Sequence, residues 1–409
     1  MSSRKAMKRF APFFALLILG GAHATSPALA AADEQLHAWP EVQRLGSGQT
    51  VYFNAWGGDP AINRYIDWAA AKLLEDFGLR LVHVKVTDIA ESVSRIMAER
   101  AAGRDANGSV DLLWINGENY AALKRAGLLW GPWTAALPNA RLIDWQGNPT
   151  TRIDATLPTE GYELPWGTSA FTLFHDRSHV QSPPAVPAAL LQWMEAHPGR
   201  FTYPQPPSFL GTAFLKQMLL LLAADSGRLQ RPAADDFDQV TAVLWEWLDR
   251  AHAVMWRRGR LFPRSGPAQR ELLGLGEIHW MMSYNPAEAS RAIRQGDLPD
   301  TIAGLHFNGG ALGNSHFVAI PYNAGAKEGA MLVANFLISP EAQAGKADEE
   351  RWGDPTVLEV DALSEADRAR FESLQRGAAT PGPPAEILPE PHPSWSTALE
   401  RAWLERYLR

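Results

Sequence analysis

The sequence predicts an α/β fold with two lobes, each built on a mainly parallel sheet flanked by helices. Buried strands and amphipathic helices alternate between residues 50 and 115, as they do in parallel sheets. A second series of strands and helices begins after the turn Ser182-Pro183-Pro184. The chain has 409 residues, whereas a single hydrophobic core rarely grows beyond roughly 250 to 300 residues. Two lobes therefore fit the length better than one.

The first 30 residues have the pattern of a secretory signal peptide. Four basic residues precede the apolar run 10–19, and small residues continue to Ala28-Leu29-Ala30. This run is about half as long as a membrane-spanning helix. We predict cleavage after about Ala30, with Ala22-His23-Ala24 as a second candidate cut, and a mature periplasmic protein. An uncleaved membrane anchor is the alternative.

Charge and cysteine content narrow the function classes. The formal net charge is −7, and loss of the four basic residues in the signal peptide makes it −11. An acidic surface argues against nucleic acid and anionic lipid as partners. The chain has no cysteine, so no disulfide and no lipid-bearing cysteine is expected.

The first lobe is predicted from three strands and two helices. The strand 50–56 is followed by a helix with Asp59 as N-cap, Pro60 in its first turn and Gly78 as its stop. The strand 79–86, the helix 91–101 and the buried strand 110–115 follow, whereas residues 31–49 have no regular pattern. The carboxyl ends of parallel strands share one edge of a sheet, where α/β proteins bind their ligands. The candidate ligand residues at this edge are Asn54, Trp56, Gly57, Gly58, Asn116, Glu118 and Asn119.

The second lobe is predicted to begin after a long connection. Residues 137–162 indicate a surface segment, and a loop at 164–169 leads into a crossing strand at 170–174. An apolar helix begins at Phe209, and its free N–H groups are expected to face the cleft. The strand 276–283 ends at Tyr284-Asn285-Pro286 and precedes a helix at 287–294, and the strand 316–321 returns the chain. The candidates on this side are Trp166, Gly211, Thr212, Tyr284 and Asn285.

Each candidate also has an ordinary structural interpretation. Either tryptophan could fill the core instead of stacking on a ligand, the asparagines are common in turns, and the glycines allow tight turns. Glu118 is useful to a cationic ligand, but a solvated carboxylate is the ordinary alternative. His175 and His179 have a spacing that suits a metal on a helix, yet they follow a strand, so we predict no metal site.

The C-terminal part is predicted to be a linker followed by one helix. Residues 377–393 are rich in Pro, Ala and Glu, and Thr397 with Glu400 has the pattern of a capping box. We assign 1–30 to the signal peptide, 31–170 to the first lobe, 171–304 to the second, 305–360 to a return segment of the first, and 361–409 to the linker and a helix packed on the lobes.

Four segments resemble those of a known family. They are VYFNAWGG (51–58), VDLLWI (110–115), GEIHWMMSYNP (276–286) and NFLISPEAQ (335–343), in which Ser339 and Pro340 begin a late helix. Together with the export signal, they resemble the extracellular solute-binding proteins of bacterial ABC importers. The resemblance is to the YnjB-type branch, which is related to thiamine, spermidine and iron(III) binders.

The resemblance implies a fold and a role. The fold would be the type II periplasmic-binding-protein clamshell. It would bind a small solute between its lobes and deliver it to a membrane permease driven by an ATPase, with no catalytic residue and no cofactor. We expect a monomer. The solute could be thiamine-like, a polyamine, a sugar or another small molecule.

Two other function classes were compared with this one. Tryptophan platforms and paired carboxylates also suit a periplasmic carbohydrate-active enzyme. The sequence lacks the G-x-S-x-G, P-loop and H-E-x-x-H motifs as well as a cysteine nucleophile. A scaffold or chaperone without a small ligand is the third class, and a deep cleft between the lobes would argue against it.

Overall fold

The structure, a computed structural model, describes residues 36–115, 117–154 and 156–408. The predicted signal peptide and Asn116 lie outside these ranges. Within them the chain forms thirteen α-helices and eleven β-strands. None of the helices in these ranges is long and apolar enough to cross a membrane.

The alternation predicted at the start of the chain is confirmed. The elements are α1 (Trp39–Gly46), β1 (Thr50–Trp56), α2 (Pro60–Phe77), β2 (Arg80–Val86), α3 (Ala90–Ala101), β3 (Leu112–Ile115) and α4 (Gly117–Arg125). Asp59 caps α2 by accepting a hydrogen bond from the N–H of Ala61, and Gly78 ends this helix with φ 62°. Helix α1 was not predicted, because its eight residues are too few to stand out from the polar segment that precedes them.

Four strands lead from the first lobe to the second. They are β4 (Ile153–Asp154), β5 (Leu157–Pro158), β6 (Glu163–Ala170) and β7 (Thr172–Asp176). The loop predicted at 164–169 is wrong, since these residues belong to β6. This strand is buried on both faces, so its sequence lacks the alternation that identifies a half-buried strand.

The second series of elements begins at α5 (Pro187–Ala196). It continues with α6 (Phe209–Leu222), α7 (Phe237–Val254), α8 (Gly266–Gly274), β8 (Trp280–Ser283), α9 (Glu288–Gln295) and β9 (Ile302–Leu305). Ser208 caps α6 through its side chain. The sheet here is antiparallel, not mainly parallel, because β7 lies between β8 and β9 and pairs antiparallel with both. The chain runs from β8 through α9 to β9, but the sequence does not show that β7 lies between these two strands in the sheet.

The remaining elements return to the first lobe and then leave it again. They are β10 (Ala311–Ala319), α10 (Lys327–Leu337), α11 (Pro340–Ala347), α12 (Glu365–Glu372), β11 (Ile387–Leu388) and α13 (Pro393–Tyr407). Ser339 caps α11 as predicted, and Pro340 is in its first turn. The predicted capping box of the last helix is wrong. Helix α13 begins earlier, at Pro393, with His392 as its cap.

Two sheets organise the two lobes in the described part of the chain. Six strands form the first sheet, in the order β11-β10-β3-β1-β2 with β6 on β10, and β8-β7-β9 form the second. Helices α2, α10 and α11 cover one face of the first sheet, and α3 and α4 cover the other. Helices α5, α6, α7 and α13 build the main core of the second lobe. This architecture confirms the predicted α/β fold class.

The strands that join the lobes are nearly continuous. Only Phe171 separates β6, which pairs with β10 in the first sheet, from β7 in the second. The start of β10 packs in the second core through Leu312, and its end packs in the first through Val318. The predicted cleft between the lobes has the carboxyl ends of β1 and β3 on one side and the start of α6 on the other.

Candidate functional site

The first edge of the cleft is set by strands β1 and β3. They are parallel, with Asn54 opposite Leu113, so both end at the same edge of the sheet. Trp56 is the last residue of β1 and is 39% exposed. Its ring lies over Gly58, where an added Cβ would come within 2.4 Å of the ring. Trp56 therefore presents an open aromatic face at this edge.

Two other candidates at this edge, Asn54 and Gly57, have structural contacts. Asn54 is fully buried and donates to Ser92 Oγ at 2.8 Å. An added Cβ on Gly57 would lie 2.7 Å from the Cβ of Lys85, so this glycine permits close packing of the chain. These two residues therefore stabilise this edge of the first sheet from its buried side.

Trp166 is part of the core. It is fully buried, and its ring centroid lies 6.2 Å from that of Phe53, 5.1 Å from that of Trp114 and 5.5 Å from that of Trp352. Its indole N–H is buried without a partner. Neither face of the Trp166 ring is open to a ligand in this arrangement. These contacts favour a role in the core.

Two carboxyl groups lie at the beginning of α4. The N–H of Gly117 donates to Asp154 Oδ2 at 2.7 Å. Glu118, in the first turn of α4, is exposed, and Asn119 beside it is half-buried. Helix N-termini favour negative charge, which explains why acids can collect here.

Helix α6 provides the facing wall from the second lobe. Thr212 Oγ1 donates to Glu400 Oε1 at 2.6 Å, and Lys216 Nζ donates to Glu390 Oε1 at 2.5 Å. Both acceptors come from the end of the chain. Gly211 serves packing, since an added Cβ there would lie 2.3 Å from the carbonyl oxygen of Pro204.

Tyr284 and Phe209 form an aromatic wall beside these charges. Their ring centroids are 5.3 Å apart, and Phe209 is 51% exposed. Tyr284 is 8% exposed, and its hydroxyl is buried without a hydrogen-bond partner. Asn285 instead holds structure: its amide donates to the Trp352 carbonyl at 3.1 Å, and its oxygen accepts from the N–H of Ala287.

Four carboxyl groups from both lobes form what we call the acidic cluster: Glu118, Asp154, Glu390 and Glu400. Burial raises the pKa of Asp154 to about 8, opposed by the Gly117 N–H and increased by Glu390 and Glu118. Burial is also the main reason that the pKa values of Glu390 and Glu400 are raised, and Glu118 raises both further. Lys216 lowers all three pKa values. The cluster is thus rich in carboxyl groups that ionise with difficulty.

A second contact between the lobes lies at the start of α2. Arg291 of α9 donates to Asp59 Oδ2 at 2.5 Å, and it also donates to the Trp352 carbonyl at 3.2 Å. Arg291 is 5% exposed. This ion pair joins the edge of the first lobe to the beginning of α9 in the second.

The two histidines considered for metal binding lie in separate aromatic contacts. His175 lies on β7, with its ring centroid 5.4 Å from that of Trp280, whereas His179 stacks on His279 at 4.0 Å. Among the described residues there is no group of three or more His, Cys, Asp or Glu side chains that could hold a metal ion.

Sequence reasoning missed Asp154, Phe209, Lys216, Glu390 and Glu400. The sequence does offer a signal for Lys216, because it is the one charged residue in the apolar helix segment FLGTAFLKQMLLLL. Glu400 follows the buried Leu399 and lies one turn before the buried Trp403, which is an unusual place for a carboxylate. Asp154 lies on the two-residue strand β4 and Glu390 in an irregular segment, so neither has a periodic pattern around it.

Comparison with known proteins identifies the family of the chain. The family of bacterial extracellular solute-binding proteins matches residues 68–366. Protein YnjB of Escherichia coli (strain K12) is 46% identical over 371 residues, which cover 90% of this chain and 94% of that protein.

Solved structures show the same fold at low sequence identity. An extracellular solute-binding protein from Bordetella parapertussis has a TM-score of 0.62 at 14% identity, covering 87% of this chain and 97% of that chain. AfuA of Actinobacillus pleuropneumoniae, with fructose-6-phosphate bound, has a TM-score of 0.60 at 11% identity, covering 88% and 99%. The spermidine/putrescine-binding protein PotD of Streptococcus pneumoniae has a TM-score of 0.59 at 12% identity, covering 88% and 98%.

These findings decide between the function classes. They confirm the type II periplasmic-binding-protein fold and the predicted family, and they correct the alternative of a carbohydrate-active enzyme, because proteins of this family serve transport and are not enzymes. Such a protein binds a small solute and works with an ABC permease. The chain belongs to the family of bacterial extracellular solute-binding proteins, the solute-binding components of ABC transporters.

Proposed function

We propose that the solute binds in the cleft between the lobes, against the acidic cluster and the ring of Tyr284. The observation that supports this most is the convergence of groups from both lobes. Glu118 of the first lobe raises the pKa of Glu390 and Glu400, which lie in the second. A solute at this place touches both lobes at once, which is what closure of a hinged protein requires.

Within the cleft, the predicted residues divide by exposure. Trp56, Glu118 and Asn119 have surface that a solute can touch, and Tyr284, whose pKa is raised by burial and further by Glu390, lies near the acidic cluster. Thr212 contributes by holding Glu400. Asn54, Gly57, Gly58, Gly211, Asn285 and Trp166 support the walls from behind. Asn116, between β3 and α4, remains a candidate from its sequence position.

The proposal includes the compartment, the oligomeric state and the partner of the protein. The signal peptide is cleaved after about Ala30, and the mature protein acts as a monomer in the periplasm. It delivers the solute to its permease, and an ATPase drives the transfer. The lobes divide near residues 170, 304 and 360. The segment from 361 on packs on them, consistent with burial of Trp395, Leu399 and Trp403 in the second core.

A thermal-shift screen of the mature chain tests the site. A solute that binds only the folded protein raises the unfolding midpoint, so we expect one chemical class to shift it. The shift should be lost in Tyr284→Ala and kept in Tyr322→Ala, whose ring lies near Arg100 at the surface. A solute whose affinity is equal in both variants would place the site elsewhere.

A further inference from the structure

Residues 256–264 of the second lobe, which we call the basic loop, connect α7 to α8. This loop has four exposed arginines, Arg257, Arg258, Arg260 and Arg264. Within the described part of the chain, none of the four forms an ion pair or a side-chain hydrogen bond. Their charges are therefore not balanced by contacts inside the protein.

The core fixes the position of the basic loop. At its beginning, the N–H of Trp256 donates to the Phe201 carbonyl at 2.9 Å. Near its end, Phe262 is 9% exposed, and its ring centroid lies 5.0 Å from that of Trp403. The loop between these anchors is thus a defined surface feature of the second lobe.

The tip of the loop is a left-handed turn. Arg257, Arg258 and Gly259 have φ values of 52°, 56° and 61°. Residues other than glycine rarely adopt such values, because the Cβ then crowds the backbone. An added Cβ on Gly259 would lie 2.7 Å from the Cβ of His252, so the turn packs closely on α7. The fold thus accepts local strain at a turn that exposes two adjacent arginines.

An apolar side chain stands among these charges. Leu261 is 59% exposed and directly follows Arg260. The half-buried ring of Trp256 lies 5.2 Å from the guanidinium carbon of Arg257, and its indole N–H donates to Glu277 Oε2 at 3.1 Å. An exposed leucine with an aromatic ring and arginines is the composition found where proteins contact the boundary between lipid headgroups and acyl chains.

The charge of the basic loop is opposite to that of the whole chain. The formal net charge is −7, and from it the sequence predicts no affinity for anionic lipid. A net charge is an average, however, and charges at a surface act over only about 10 Å at moderate salt. The loop can therefore attract an anionic surface, while the acidic remainder of the protein prevents other faces from approaching it.

We propose that the basic loop binds the surface of an anionic phospholipid membrane, with its guanidinium groups on lipid phosphates and Leu261 below the headgroups. Guanidinium groups bind phosphate through two parallel hydrogen bonds. Arginines without internal partners can adjust to a fluid array of headgroups. An acidic protein could also satisfy the charges, but a protruding leucine is better suited to a layer with hydrocarbon beneath it. The proposal is independent of the solute site.

Membrane binding at this loop would orient the second lobe. The N–H of Gln205, just before α6, donates to the Pro263 carbonyl at 2.8 Å. An added Cβ on Gly266 would lie 3.2 Å from Leu210 Cδ2 in the first turn of α6. The basic loop therefore lies beside the start of α6, and that end of the helix would face the membrane.

The test measures partition of the mature chain onto vesicles by sedimentation. The chain starts at Ala31, because the apolar signal segment would itself bind membranes. Anionic vesicles contain phosphatidylglycerol and phosphatidylcholine in equal parts, and neutral vesicles contain phosphatidylcholine alone. The loop variants are Arg258→Gln/Arg260→Gln, Arg258→Lys/Arg260→Lys and Leu261→Asn. The thermal midpoint of each variant checks that it is folded.

Two controls match the loop variants on the first lobe. Arg80→Gln/Arg95→Gln removes the same charge from two exposed arginines without ion pairs in the described part of the chain. Leu74→Asn replaces a leucine of equal exposure, 58%. Both controls should bind anionic vesicles as the unchanged chain does.

The unchanged chain should bind anionic vesicles but not neutral ones, and added salt should weaken the binding. Each arginine near an anionic leaflet raises the partition coefficient by roughly fivefold, so the double glutamine variant should lose at least about tenfold. The double lysine variant should keep most of the binding, which separates loss of charge from a disturbed turn. Leu261→Asn should lower the partition coefficient at least about threefold, because less apolar area is buried.

Three outcomes would overturn the proposal. The first is no binding to anionic vesicles at low ionic strength, and the second is equal binding by the loop glutamine variant and its first-lobe control. The third is that poly-L-glutamate displaces the vesicles while Leu261→Asn binds normally, which would assign the loop to an acidic protein partner.

Discussion

Arg291 and Asp59 form an ion pair between the two lobes at 2.5 Å, and each residue has a second structural role. Asp59 uses its other oxygen to cap α2, and Arg291 also donates to the Trp352 carbonyl. The pair is largely buried, with 6% and 20% of the two side chains exposed. Because it spans the lobes, it stabilises only arrangements in which α2 and α9 lie this close together.

Arg291→Ala should therefore weaken solute affinity by about tenfold without unfolding either lobe, because the closed state becomes less populated. Small-angle scattering should show a larger radius of gyration at equal solute occupancy. Arg270→Ala is the control, since Arg270 pairs with Glu288 inside the second lobe. Equal effects of the two substitutions would contradict a role in closure.

Trp56→Ala should weaken solute binding by more than tenfold, about 1.4 kcal/mol, because an open aromatic face at the cleft edge is lost. Isothermal titration measures the affinity, and urea unfolding checks that stability changes little. Tyr52→Ala removes a ring of similar exposure, 44%, from the same strand. If both variants bind equally well, Trp56 is not part of the site.

Asp154→Asn should stabilise the solute-free protein more at pH 9 than at pH 5. The folded-state pKa of Asp154 is raised from 3.8 to about 8, so the folded protein holds this proton more tightly than the unfolded chain does. That contribution to the free energy of unfolding is complete below about pH 4 and is lost as the pH rises through 8. Asparagine does not ionise, so the free energy of unfolding of the variant does not fall in this way as the pH rises.

The measurement is the difference in Tm between Asp154→Asn and the unchanged chain at the two pH values. We expect the difference to grow by at least about 2 °C between pH 5 and pH 9. Asp361→Asn, at an exposed position, should show no such trend. A difference independent of pH would mean that Asp154 is ionised throughout this range.

Lys346→Met should destabilise the protein by about 3–5 kcal/mol, because it leaves a buried carboxylate without its partner. Lys346 and Asp354 are 0% and 2% exposed and pair at 2.5 Å, and His316 Nε2 donates to the same carboxylate at 2.9 Å. Urea unfolding measures the change. Lys72→Met, which breaks a surface pair, should cost at most about 1 kcal/mol.

The sequence predicted the first lobe well because local signals there agree with one another. Asp59, Pro60 and Gly78 mark both ends of α2, and alternating strands and helices require a parallel sheet in which β1 and β3 end at one edge. Ser339 likewise identified the start of α11. The family followed from the same segments, so the expected fold and role were available before any coordinates.

Other features depended on contacts between distant parts of the chain. Trp166 and Trp56 are equivalent by sequence pattern, but the packing of Phe53, Trp114 and Trp352 buries the first completely, whereas the second stays open. The position of β7 between β8 and β9 was also invisible, because hydrophobic periodicity records burial and not the neighbouring strand.

The sequence by itself determined the order of strands and helices, the edge at which β1 and β3 end, and the family. The tertiary structure decided the acidic cluster, since Glu118 and Asp154 meet Glu390 and Glu400 only when α13 packs on α6. The physical reason is that helix caps and periodicity act over a few residues, whereas charge balance in a buried cleft depends on groups more than 200 residues apart in the chain.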